Sequence, residues 1–165
     1  MYIDDAGDLW IAKFPSRNDQ GDVAGWEMVT YELALLAGIN MAQSRAQKFS
    51  SDYYTFLTKR FDRNEQGQRL HFASAMTMLG YQDGQDYTDG VSYLELVEFL
   101  QNNGAKVKQD LEQLWRRIIF SICVSNTDNH LRNHEFILTK IKLSIQHCFY
   151  SVKRRKVGPA RMALT

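Results

Sequence analysis

The sequence predicts an α+β fold that is mainly helical and divided into two unequal lobes. The first half alternates aromatic and β-branched runs with one helical stretch, and helical apolar spacing dominates the second half. With 165 residues, 44% of them hydrophobic and 24% charged, the chain can bury a core without disulfides or a structural metal. No apolar run is long enough to span a membrane, and two cysteines give no disulfide framework, so a cytoplasmic location is expected.

Three strands and four helices are predicted along the chain. Aromatic and β-branched runs indicate strands over 9–14, 53–61 and 134–139. Apolar spacing and capping signals indicate helices over 26–36, 69–79, 92–103 and 110–124, and Gly38, Gly80 and Gly104 follow the first three. One apolar face of the first helix and one of the last are expected to be buried. Their side chains are Trp26, Val29, Leu33 and Leu36, and Leu111, Leu114, Trp115, Ile118, Ile119, Ile122 and Cys123.

A polar segment directly follows the most apolar helix and is the first candidate for chemistry. Within residues 125–133, Asp128 and Asn133 are five positions apart. The catalytic loop of protein kinases has this spacing, with an Asp that accepts the proton of the substrate hydroxyl and an Asn that binds magnesium. The spacing occurs often by chance, so it gains weight only together with other residues of the same chemistry.

Lys13 is the second candidate, because it lies in the first predicted strand among apolar residues. A strand lysine of this kind resembles the one that contacts nucleotide phosphates in kinases, although a solvated lysine on an amphipathic strand fits the same pattern. Either Glu27 or Glu32, both in the following helix, could form the ion pair that active kinases require. The order of strand lysine, helix glutamate, second strand and Asp-x4-Asn motif is the order found in kinases.

Three segments, 10–16, 58–63 and 125–133, together resemble the C-terminal kinase domain of HipA-type toxins, which are serine/threonine kinases of bacterial type II toxin–antitoxin modules. The resemblance covers roughly residues 9–138, and it implies a truncated, protein-kinase-like fold with two lobes and a link to bacterial persistence. It also implies ATP and Mg²⁺ as cofactors, a protein substrate phosphorylated on Ser or Thr, and a DNA-binding antitoxin as a possible partner.

The resemblance assigns a role to each candidate residue of the site. Lys13 would contact the ATP phosphates, and the backbone around Arg60 and Phe61 would meet the adenine at the hinge between the lobes. Asp62 would lie near the ribose. Asp128 would act as the catalytic base and Asn133 as a magnesium ligand.

The predicted division of the chain follows from the same resemblance. Residues 1–62 would form a partial N-lobe with strands, one helix and the hinge, and residues 63–140 a helical C-lobe with the catalytic loop. Residues 141–165 would form an atypical basic tail. From residue 139 onward the chain has seven basic residues and no acidic one, whereas residues 1–138 hold 13 basic and 19 acidic residues. The tail is expected to be poorly ordered or foreign; binding of phosphates or anionic lipid by it is the alternative.

Two departures from the family pattern favour low activity for this chain. No Asp follows Asp128 that could serve as the second magnesium-binding carboxylate, and no glycine-rich phosphate loop precedes Lys13. The chain is therefore expected to be inactive alone as a kinase. The alternative function is that of an inactive remnant which binds nucleotide or an antitoxin. No direct contact with nucleic acid and no membrane association are expected.

Overall fold

The computed structural model describes residues 2–19, 21–85, 87–126, 129–139 and 142–146, which contain both helices and sheets. The strands are β1 (Tyr2–Ile3), β2 (Leu9–Lys13), β3 (Ser44–Gln47), β4 (Thr55–Lys59), β5 (Phe72–Ser74), β6 (Glu135–Thr139) and β7 (Lys142–Gln146). The helices are α1 (Val23–Leu36), α2 (Ala75–Leu79), α3 (Tyr93–Asn103) and α4 (Val107–Cys123), and Leu131–Asn133 forms a 3-10 turn. A mixed helix-and-sheet fold is thus confirmed, and the mainly helical, two-lobed kinase arrangement stays a prediction.

The first sheet has the strand order β1-β2-β4-β3, and its neighbouring strands are antiparallel. Helix α1 packs beside this sheet, where Ala24, Tyr31 and Phe56 form a buried cluster. Trp10 is only 2% exposed, and its indole Nε1 donates to Asp4 at 2.8 Å. Because β2 and β4 pair with Lys13 opposite Phe56 and Trp10 opposite Lys59, Lys13 and the segment after β4 lie at opposite ends of the strand pair.

The second sheet has the order β5-β6-β7 and packs against α3 and α4. Together these elements bury the largest apolar cluster of the described residues. Its members are Ala75, Leu96, Leu100, Leu114, Leu131, Phe136 and Ile145. Ser92 and Glu95 form the predicted capping box at the start of α3, which satisfies backbone donors of the first turn.

Helix α1 meets α4 at its C-terminal end. Ala34, Ile39 and Phe120 pack together there, and Arg116 Nη1 donates to the carbonyl of Ala37 at 3.0 Å. Gly38 follows with a φ of +71°, and a Cβ at this position would lie 3.1 Å from Arg116 Nη1. Glycine is favoured here for both reasons: it adopts the left-handed conformation without strain and leaves room for the guanidinium group.

Several element predictions are confirmed and one is wrong in part. The strands at β2, β4 and β6 and the helices at α1, α3 and α4 lie where the sequence places them, within a few residues. The predicted helix over 69–79 is wrong for its first half, because Phe72–Ser74 forms a strand that pairs with β6. Three residues are too few to give an alternating pattern, so this strand depends on a long-range partner.

The predicted orientation of the two apolar helix faces is wrong for most of their residues. On α1, Trp26 and Leu33 are 52% and 46% exposed, and on α4, Trp115 and Ile122 are 63% and 69% exposed. The prediction holds for Leu114, which is buried. The other buried residues are Ala24, Glu27, Thr30, Tyr31 and Ala34 on α1, and Asp110, Arg117, Phe120 and Ser121 on α4. Cys123 is also exposed. Apolar periodicity identified the helices correctly, but it did not identify the side that the sheets cover.

The beginning of the predicted basic tail is structured. Lys142–Gln146 forms β7, which pairs with β6, and Ile145 is 7% exposed within the main apolar cluster. The expectation of a poorly ordered or foreign tail is therefore wrong for residues 142–146, because β6 supplies the hydrogen-bonding partner. Residues 147–165 lie outside the described part of the chain. None of the helices in the described ranges is long and apolar enough to cross a bilayer.

Candidate functional site

Lys13 and Glu27 form an ion pair between the end of β2 and the second turn of α1. Lys13 Nζ lies 3.0 Å from Glu27 Oε1, and the glutamate side chain is only 6% exposed. The Asp22 side chain caps α1 by accepting from the Gly25 amide at 3.0 Å, which starts the helix one turn before Glu27. Of the two glutamates that the sequence left open as partners, Glu27 is therefore the one that pairs, while Glu32 is exposed.

The environment of Glu27 opposes its negative charge. Burial raises the pKa of the Glu27 carboxyl, and the attraction of Lys13 only partly offsets this effect. Because burying this carboxylate costs free energy, a gain in stability does not explain why it is buried. In this pair, Glu27 holds the Lys13 ammonium in place, and the lysine side chain is still one-third exposed and able to meet an anion.

The segment after β4 contains a second charged group. Arg60 donates to both carboxylate oxygens of Asp62, with Nε at 2.7 Å from Oδ1, and Arg63 Nη1 donates to Oδ2 at 2.7 Å. Asp62 is 1% exposed, and the Arg60 hydrogen bond is the main reason that its pKa is lowered. Phe61, between them, packs edge-on against Phe72 at 5.4 Å. Asp62 thus holds the segment rigid, and its carboxylate oxygens are already engaged by arginine.

A polar cleft of about 330 Å³ lies beside this segment. Its walls come from the turn between β1 and β2, which includes Gly7 and Asp8, and from Lys59, Arg60 and Arg63. Lys59 pairs with Asp8 at 2.5 Å across the cleft. Lys59 pairs with Asp8, and Arg60 and Arg63 share Asp62, so each of these basic groups has an acidic partner.

Asn133 lies at the end of the 3-10 turn that follows α4 and leads into β6. The backbone amide of Asn133 donates to the backbone carbonyl of His130 at 2.9 Å, and the backbone carbonyl of Asn133 accepts from Arg117 Nη2 at 2.7 Å. Asp128, the predicted catalytic base, lies outside the described residues together with Thr127. The described parts on either side, Asn126 and Asn129, are both hydrogen bonded to the helical scaffold.

Three further residues support this loop and were missed in the sequence. Arg117 is fully buried, Tyr93 exchanges hydrogen bonds with Asn129, and His134 is fully buried with its ring 5.8 Å from that of Tyr93. Burial, followed by the charge of Arg117, holds the pKa of His134 well below its usual range, so its imidazole is neutral at pH 7. The available signal was the spacing of Arg117 from Leu114, which puts both residues on the buried face of α4.

A smaller cavity of about 160 Å³ lies against the other side of the same loop. Met76, Tyr81 and Leu131 line it, and Arg132 and His130 contribute its polar wall. Arg132 forms an exposed ion pair with Asp83 at this position. This arrangement offers a mixed apolar and charged surface directly beside the loop that contains Asn133.

Among the described residues, no group of three or more His, Cys, Asp or Glu side chains could hold a metal ion. The donor type that is present fits magnesium and not zinc, because the Asn133 amide offers a hard oxygen ligand. Magnesium is commonly bound by only one or two protein ligands, with phosphate oxygens and water completing the octahedron. Asn133 could therefore hold magnesium only together with a bound phosphate chain.

A Lys–Glu pair with a buried glutamate beside an antiparallel sheet and an Asn-containing loop after a long helix characterise this α+β protein. A family model of the HipA-like C-terminal domain matches residues 2–147, and the chain belongs to this family. The match extends past residue 138, where the sequence resemblance was expected to end, and it includes β7.

Two known proteins are similar to the chain. One is a Haemophilus influenzae protein named "Putative kinase", which is 25% identical over 135 residues that cover 76% of this chain and 39% of that protein. The other is a chain in the structure of the Shewanella oneidensis toxin–antitoxin complex of HipA, HipB and operator DNA, with a TM-score of 0.69 and 23% identity. That match covers 87% of this chain and 37% of the other. The chain thus spans less than two-fifths of either relative.

Proposed function

We propose that this chain is the nucleotide-binding core of a HipA-like serine/threonine protein kinase of a toxin–antitoxin module. The observation that carries the proposal is the Lys13–Glu27 ion pair, at 3.0 Å between a sheet and a helix. Burying Glu27 costs free energy, and the cost is understandable if the glutamate orients Lys13 toward phosphate groups. Residues 1–62 would then be the N-lobe and residues 63–140 the C-lobe of the kinase arrangement.

In the proposed reaction, the γ-phosphoryl group of ATP moves to a Ser or Thr hydroxyl of a protein, and ADP leaves. Lys13 would bind the phosphates, and Asp128 would accept the hydroxyl proton. The backbone at Arg60 and Phe61 would face the adenine, with Asp62 close to the ribose and acting through the guanidinium groups that it holds. Asn133 would hold magnesium, which neutralises charge on the phosphates when it is bound.

Thermal unfolding with and without ATP and Mg²⁺ tests nucleotide binding by the whole chain. A ligand at about 100 times its Kd stabilises the native state by roughly 2.7 kcal/mol, which shifts the Tm by several degrees. Lys13→Met should abolish the shift, whereas Lys108→Met, on the exposed side of α4, should preserve it. A wild-type Tm that ATP leaves unchanged would refute the proposal.

A second candidate function is a nucleotide- or antitoxin-binding module without phosphoryl transfer. It is favoured by the absence of any Asp after Asp128 in the sequence, since a missing metal-binding carboxylate lowers the rate by ~10³-fold or more. Transfer of radiolabel from ATP to a protein separates the two candidates. Transfer that disappears in Asp128→Asn indicates a kinase, and ATP binding without transfer indicates the module. Calorimetric titration with a DNA-binding antitoxin tests whether the module binds an antitoxin.

A further inference from the structure

Tyr93 and Arg117 contact the loop of Asn133 from two different helices. We propose that both are positioning residues: they hold Asn129 and Asn133 in place and thereby set the magnesium requirement of nucleotide binding. The inference rests on the proposed function, because it concerns the same loop. Neither side chain needs to touch the nucleotide to have this effect.

Arg117 is the stronger of the two contacts. It lies on the buried face of α4 with no exposed surface, and its Nη2 donates to the carbonyl of Asn133 at 2.7 Å. Hydrogen bonds from a charged donor are shorter and about twice as strong as neutral ones. This bond fixes the backbone of Asn133, from which the side-chain amide projects.

Tyr93 holds the opposite side of the loop. Its Oη accepts a hydrogen bond from Asn129 Nδ2 at 2.8 Å and lies 3.3 Å from the Asn129 carbonyl, to which it donates. Tyr93 is the first residue of α3, and the Ser92–Glu95 capping box fixes the start of that helix. The two anchored residues, Asn129 and Asn133, follow Asp128 in the sequence. Asn126 precedes it, and its backbone amide donates to the backbone carbonyl of Ser121 at 2.8 Å.

Core packing alone does not explain an arginine at position 117. Its neighbour one turn earlier, Leu114, fills the same face with an apolar side chain and is 1% exposed. Replacing a buried ionic group by a well-packed apolar one is often neutral or stabilising, so the charge has a cost here. The contact with the Asn133 carbonyl gives a functional reason for that cost. Partners that orient a metal ligand in this way typically change metal affinity or activity 10–100-fold when they are removed.

The test combines Mg²⁺ titrations with hydrogen exchange on the whole chain. Tyr93→Phe keeps the ring and removes both hydrogen bonds, while Arg117→Lys keeps the charge and Arg117→Met removes it. Ser121→Ala is the matched control, because Ser121 is buried on the same face of α4 and its hydroxyl has no partner among the described residues. Calorimetry measures ATP binding as Mg²⁺ is varied, and binding of ATP in EDTA measures the affinity without metal.

We expect Tyr93→Phe and Arg117→Lys to raise, at least tenfold, the Mg²⁺ concentration that gives half of the maximal increase in ATP affinity. The ATP affinity measured in EDTA should be unchanged. Arg117→Met should have the larger effect. Amide exchange at Asn126 and Asn133 should accelerate in these variants and not in Ser121→Ala. An unchanged Mg²⁺ requirement, or equal losses with and without Mg²⁺, would overturn the inference.

The exchange measurement needs no nucleotide and keeps the two proposals distinguishable. If the wild-type chain binds no ATP, the proposed function is refuted, and so is the role of Tyr93 and Arg117 in setting the magnesium requirement. If it binds ATP but loop exchange is the same in wild type and Tyr93→Phe, the positioning role alone is refuted.

Discussion

Replacing Glu27 by Gln should separate stability from ligand binding. At 3.0 Å and an effective dielectric constant of about 20, the attraction between Lys13 and Glu27 amounts to about 5 kcal/mol. The Lys13 side chain is 34% exposed, so solvent screens this attraction, and removing the carboxylate from water costs several kcal/mol. The raised pKa of Glu27 shows that the cost of burial exceeds the attraction. Glu27→Gln is therefore expected to change the free energy of unfolding at pH 7 by less than about 1 kcal/mol, or to increase it.

The pH dependence of this effect has a defined sign. Because the folded-state pKa of Glu27 lies above its ordinary value of 4.5, its contribution to stability is fully present below pH 4.5 and is lost as the pH rises through the folded-state pKa. Urea unfolding of wild type and Glu27→Gln at pH 4 and pH 7 should therefore favour the variant more at pH 7. Under the proposed function, ATP affinity at pH 7 should fall at least tenfold, or about 1.4 kcal/mol.

Glu32→Gln is the matched control, since Glu32 is exposed on the same helix. It should leave both stability and ATP affinity unchanged. A loss of more than about 2 kcal/mol in Glu27→Gln at pH 7, shrinking at pH 4, would show that the ion pair stabilises the fold and would refute the reasoning.

The remaining predictions concern the scaffold. Asp62→Ala should destabilise the protein by about 3–5 kcal/mol in urea unfolding, because two arginines lose a buried partner. Since the pKa of Asp62 is lowered in the folded state, wild type has this stability above about pH 4 and loses it in acid. The difference between wild type and variant should therefore shrink at acidic pH. Gly38→Ala should lower stability by about 1–2 kcal/mol or more. The loss should exceed that of Gly7→Ala, because φ is also positive at Gly7 but no atom lies within 4 Å of a Cβ there. Equal losses in the two variants would mean that the contact with Arg116 costs nothing. Ile145→Ala should cost about 2–5 kcal/mol, and an effect below 1 kcal/mol would contradict the docking of β7 in the core.

Much of the local structure was predictable because its signals are local. The capping box at Ser92 and Glu95 and the long helix before the polar loop depend on residues close in sequence. The candidate residues Lys13 and Asn133 were also identified from spacing and order. The strand Phe72–Ser74 was not predicted, since its hydrogen bonds come from β6, more than sixty residues away.

By itself, the sequence determined the positions of three of the seven described strands and of most helices, the family, and the loop that contains Asp128 and Asn133. Only the tertiary structure decided which side of each helix is buried. On α1 and α4 the buried faces contain Glu27 and Arg117, while Trp26 and Trp115 are exposed. The physical reason is that periodicity measures the hydrophobicity of a face, whereas burial of a charge depends on a partner. For Glu27 that partner is Lys13, and for Arg117 it is the carbonyl of Asn133, and neither partner lies on the helix that carries the charge.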